Sequence, residues 1–189
     1  RDVPEFRNYT MLELPHSPPL AATARGDRDY ATTIVRNFLY SALMVLLWER
    51  LTASADTQLA AIAARSLKEA RYHLRHSRDW LVRFGDGTDE SHARVQAALD
   101  HLLPYTDEFW SDSAPEQAAL AQGVAVSVAS LQAGWNDLVD DALTEATLVR
   151  PTVAKGYVTQ GKHGVHSEHL GFVLAEMQSL ARAHPGASW

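Results

Sequence analysis

The sequence contains no cysteine. Disulfides, zinc–thiolate centres, iron–sulfur clusters and thiol nucleophiles are excluded together. An excess of positive charge is missing as well. Lysines and arginines number 17 against 23 acids, giving a net charge of −6 and a pI of about 5.8. That balance argues against nucleic acid or an anionic membrane as the main partner. Long apolar runs are also lacking: Phe38 to Trp48 is the most apolar stretch, at 11 residues, against the ~20 that cross a bilayer. With no signal peptide visible, the expected location is the cytoplasm and no membrane span is expected. Nowhere does a period-two strand pattern compete with helical periodicity. The chain begins at Arg1 rather than methionine, which reads as a fragment or processed product lacking something N-terminal.

What is present suits one domain with a substantial core: 189 residues, 46% hydrophobic and 21% charged. Pro4, Pro15, Pro18 and Pro19 make residues 1–29 an irregular segment. Beyond it the pattern is helical. Asp27 or Asp29 can cap a helix over about Tyr30–Ala53, and Asp56 a second over about Thr57–Phe84 with Gly85 as its left-handed stop. A third covers about Glu90–Ser111, kinked or broken at Pro104. Ser113-Ala-Pro-Glu116 is a capping box opening a short helix that Gly123 ends. A fifth runs over about Ser127–Leu148, and after a loop a last one over about Val165–Ala183. The fold class is all-α, a helical bundle in a single domain over residues 1–189. The first helix is apolar nearly all round (Ile34, Val35, Phe38, Leu39, Leu43, Val45, Leu46, Leu47, Trp48), so it should be buried on more than one side, by missing residues or by a partner.

The second helix carries Lys68–Ser77, KEARYHLRHS. Carboxylate-bridged di-iron bundles use Glu-x-x-His, three apart; here Glu69 and His73 are four apart. The residue three before His73 is Ala70. Leu59, Ala63, Ser66, Ala70, His73, Ser77, Trp80 and Phe84 recur at steps of four and three and make a seam in which His73 should lie. Glu69 is rotated from that seam by about 100°. The seam residue of the first helix level with Ala70 is Ser41, a poor replacement for a bridging carboxylate. His73 then reads as a core histidine bonded to Ser77 or Ser41, or as a metal ligand.

The stretch Ile62–Trp110 and the tail GKHGVHSEHLGFVLAEMQSLARAHPGASW (Gly161–Trp189) resemble the structural subunit family of bacterial phenylacetyl-CoA epoxidase, over about Tyr30–Trp189. The resemblance implies a ferritin-like fold with N-terminal helices that this sequence lacks. It also implies a sister subunit that binds phenylacetyl-CoA, carries the di-iron centre and receives electrons from a separate reductase. That sister has Glu-x-x-His where this chain has Ala70 to His73, and an acid where this chain has Ser41, 29 positions earlier. The implied role is non-catalytic: a scaffold in a tight heterodimer with the catalytic subunit. No catalytic residue, cofactor or metal is then expected in this chain, and Ser41, Ala70 and His73 are vestigial ligand positions.

A second cluster is His163, His166 and His169 with Glu168. His166 and His169 could share a helix face and bind zinc or iron, with Asp137, Asp140 and Asp141 the nearest candidate acids. The alternatives are a helix start shaped by Gly161 and Gly164, or a partner contact. Leu170, Leu174, Met177 and Leu180 make an apolar stripe, and Gly171 would permit close approach of a neighbouring helix. Core plus interface is the favoured reading, with His163, His166, Glu168, His169, Gly171 and Met177 as interface residues. Lys155 and Lys162 could meet an acidic partner or a CoA phosphate. Two other functions stay open. One is a ferritin-like oxidase in its own right, using Glu69, His73 and the second cluster; the other is a self-associating helical module.

Overall fold

The computed structural model describes residues 7–15, 29–152 and 159–188. Its described residues form an all-α bundle: α1 (Tyr30–Leu51), α2 (Thr57–Gly85), α3 (Asp89–Leu102), α4 (Ala114–Ala121), α5 (Gln132–Glu145), α6 (His169–Met177) and α7 (Ser179–Ala183). Shorter 3-10 segments at Thr10–Leu12, Leu103–Trp110, Val128–Leu131 and Gly161–His163 link them. The caps explain the starts. The Asp29 carboxylate accepts from the Ala31 N–H at 3.0 Å, and Asp56 from Gln58 and Leu59 at 2.9 and 3.1 Å. Glu116 closes its capping box by accepting from the Ser113 N–H at 2.7 Å. Asp27 lies outside the described residues.

α1 is the axis of the molecule and touches α2, α3 and α5. Ile34, Val35, Phe38, Leu39, Ala42 and Leu43 are wholly enclosed by this chain's own elements. The expectation that the chain could not cover α1 is therefore met only along the strip that faces an open recess beside α2. By length and composition α1 is also apolar enough to cross a membrane, longer than the 11-residue run suggested, because small and hydroxyl residues extend its apolar window. Of that window, 61% is buried inside the molecule. Trp135 docks α5 onto this axis: its indole N–H donates to the Leu39 carbonyl at 3.0 Å. Edge-on contacts to Phe109 (6.2 Å) and Trp110 (5.3 Å) complete an aromatic cluster.

Several boundaries differ from the pattern-based expectation. Gly85 is the last residue of α2, and its φ is not positive. Its hydrogen side chain serves close approach instead: a Cβ there would lie 2.1 Å from the Ala146 carbonyl oxygen. Among the described residues, the non-glycine residue that turns left-handed is Thr147 (φ 57°), after α5. Its neighbour Leu148 donates back to Leu143 at 2.9 Å in a helix-ending wrap. Pro104 does more than kink the third helix. It converts the chain to a 3-10 helix from Leu103 to Trp110, and this turns Glu108 and Phe109 inward, where both are buried. The last helix starts at His169 rather than Val165, because Val165 forms an antiparallel bridge with Gln160. It breaks again at Gln178.

The N-terminal segment is irregular in sequence yet part of the core. Met11 and Leu14 are buried in the main cluster, and Arg36 of α1 donates from Nη1 to the Leu14 carbonyl at 2.8 Å.

Candidate functional site

α1 and α2 leave an open recess of about 440 Å3 between them. Asn37, Tyr40, Ser41, Met44 and Trp48 line it from one side, and Ser66, Glu69, Ala70, His73, His76 and Ser77 from the other. The three positions singled out by the di-iron pattern, Ser41, Ala70 and His73, do come together here. They are not alike. Ser41 and Ala70 are buried, whereas His73 is exposed.

The reason is the path of the buried stripe along α2. It follows Ala63, Leu67, Ala70, Ser77 and Leu81, with Leu74 packed against it. From Ala70 the packed line steps by four to Leu74, and the step of three to His73 rotates the imidazole about 60° out of it. The expectation of a core histidine is thus corrected. Ser77 donates to the His73 backbone carbonyl at 2.7 Å, not to its ring. The ring itself meets Tyr72 edge-on at 5.7 Å. Glu69 and His76 are exposed, and His76 stacks on Tyr72.

This donor set does not fit a carboxylate-bridged iron pair. A methyl group stands at the Glu-x-x-His position, and a neutral hydroxyl at the level where a bridging acid is needed. Among the described residues no three histidine or acidic side chains converge as a metal site.

The second cluster disperses in the same way. His163 is exposed, with Nε2 2.9 Å from the Ser111 hydroxyl. His166 Nδ1 is 2.6 Å from the buried Glu13 carboxylate, which also accepts from the Ser167 N–H and hydroxyl at 2.8 Å each. His169 opens α6 and lines a different recess. Asp140 pairs with Arg150 (2.6 Å) and Asp141 with Arg78 (2.7 Å), so these acids do not join the histidines. Of the interface set, Glu168, Gly171 and Met177 are exposed. The apolar stripe of α6 and α7 is not a core: of its four residues only Leu170 is buried, and Met177 and Leu180 are 69% and 55% exposed. Among the described residues nothing lies within 4 Å of a Cβ built on Gly171. Lys162 is buried, donates to the Ser111 carbonyl at 2.9 Å and pairs with Glu116 at 2.9 Å, so it is not free for a phosphate. Lys155 lies outside the described residues.

The pattern on one helix could not show Glu13, Glu108 and Arg36, whose partners are far off in sequence. Glu108 accepts from the Thr10 N–H and hydroxyl and, at 2.8 Å, from the Gly161 N–H. Burial pushes its carboxyl up in spite of those bonds. Burial also raises Glu116, but hydrogen bonds from Ser113 and Lys162 outweigh it and leave that carboxyl below its usual range. Gly161 is needed because a Cβ would sit 2.3 Å from the Asn8 carbonyl oxygen.

An all-α bundle whose two longest helices, α1 and α2, border an open recess lined by Ser41, Ala70 and His73 defines the class. The chain belongs to the phenylacetic acid catabolic protein family, which matches it over residues 1–189. It is 42% identical over 189 residues to a protein of Escherichia coli (strain K12) named as one of the subunits of 1,2-phenylacetyl-CoA epoxidase, a match that covers 100% of this chain and 71% of that one.

Proposed function

We propose that this chain is the non-catalytic, supporting subunit of a phenylacetyl-CoA epoxidase in aerobic phenylacetate breakdown, acting in the cytoplasm beside a catalytic di-iron subunit. One observation carries the reading: Ala70 and Ser41 are both buried where α1 and α2 meet, at the two places where a bridged metal pair needs acids. Similarity to a protein named as part of an epoxidase supplies the reaction. A chain without a metal pair contributes by burying surface, holding its catalytic partner in the active shape by mass action.

The test is to isolate the full-length protein with its natural partners, separate the subunits under mild conditions, and measure iron in each. Iron should follow the partner, and this chain should retain far less than one equivalent. Stoichiometric iron staying with this chain, lost in His73→Ala, would establish an oxidase in its own right and overturn the reading. Failure to co-purify with any other part of the epoxidase would remove the supporting role.

A further inference from the structure

A second recess, of about 260 Å3, opens between the N-terminal segment and α6. Leu12, Glu13, Leu14 and Pro15 line it on one side, His169, Phe172 and Val173 on the other, and Arg36 of α1 lines it between them. Arg36 is only 5% exposed. Its Nη1 holds the Leu14 carbonyl, but its Nη2 has no hydrogen-bond partner among the described residues. The nearest acid in the recess wall, Glu13, is turned to His166 and Ser167. A guanidinium taken out of water without a counter-charge is costly, and removing one partner of a buried pair leaves this situation. Burial accordingly holds Arg36 below its ordinary range.

The rim of the recess is costly in the opposite sense. Phe172 is 72% exposed, and Val173 stands beside it. Further along α6 and α7, Met177 and Leu180 are also exposed. Gly171 stands in the first turn of α6, and no close contact among the described residues calls for it. A buried cation with an unpaired N–H donor and the exposed apolar side chains Phe172 and Val173 therefore share one recess.

We propose that this recess receives a carboxylate of a partner subunit, an aspartate, glutamate or chain-terminal acid with apolar neighbours. The acid meets Arg36, and its apolar flank lies on Phe172 and Val173. The inference rests on the reading of the chain as an epoxidase subunit. Charge complementarity favours an acid at Arg36, and arginine next to an aromatic is the composition of an interface anchor. Phe172 and Val173 on the recess wall call for an apolar flank, which a small anion lacks. Two copies of this chain would each bring a net charge of −6 to the contact, which disfavours self-pairing.

The experiment uses the full-length protein and the other epoxidase subunits. Association is followed by sedimentation and titration calorimetry for the wild type, Phe172→Asp, Val173→Asp and Arg36→Lys. The two rim variants change exposed residues, so their thermal midpoints should match the wild type while affinity falls at least about thirty-fold. Arg36→Lys, which keeps the charge but loses the fork, should weaken binding about ten-fold. A photo-crosslinking residue at position 172 should then capture a partner peptide that contains an acid. Wild-type affinity in both rim variants overturns the inference and leaves the subunit reading standing. So does a captured peptide without an acid, or a crosslink to a second copy of this chain. If the wild type binds no other part of the epoxidase, the subunit reading itself fails and takes the inference with it.

Discussion

Single atoms set limits at the junction of α2, α3 and α5. The Gly85 carbonyl accepts from His92 Nδ1 at 2.7 Å and from the Thr147 hydroxyl at 3.2 Å, while its Cα faces the Ala146 backbone. A methyl group cannot enter at 2.1 Å from a carbonyl oxygen, and backbone has little room to yield. Gly85→Ala should destabilise the protein by about 1–3 kcal/mol, read as a lower urea midpoint with an unchanged slope. His101 sets a limit of another kind. Burial holds its imidazole below the usual range, so the folded state resists the charged form. Its contribution to stability is complete above the ordinary histidine value of about 6.5 and is lost as pH falls through the lowered one. Urea midpoints should therefore drop between about pH 7.5 and 5.5, and His101→Gln should drop less over the same range.

Elements are joined here by carboxylates as well as by apolar faces. Glu108 ties the 3-10 helix after Pro104 to the N-terminal segment and to Gly161. An amide in its place would turn a donor toward donors, so Glu108→Gln should cost about 1–3 kcal/mol, measured by chemical denaturation. Helices, caps and the capping box at Ser113 were legible because they depend on residues within four positions of each other. Helix ends were less so. The seam of α2 could be drawn through His73 or Leu74 with equal regularity, and only the packing of α1 decides between them. The tail looked like a core helix for the same reason: an apolar stripe records that a face is covered, not by what. Glu13, Glu108 and Arg36 were illegible, since each finds its partners on distant segments.

At the scale of the whole molecule, residues 10–14 are built into the segment around Gly161–Ser167. The Gly161 N–H donates to the Thr10 hydroxyl, and His166 and Ser167 meet the Glu13 carboxylate, so the contacts close over separations of 151 to 154 residues. Everything between must be made first. At the usual ~5–20 residues per second of synthesis, Met11 and Leu14 wait on the order of ten to thirty seconds before the tail that pins them exists. During that interval the buried Arg36 and the apolar rim of α6 are not yet a surface at all. The order of assembly is thereby written into the chain: the contact between residues 10–14 and residues 161–167 closes late, and the recess beside Arg36 is finished only with it.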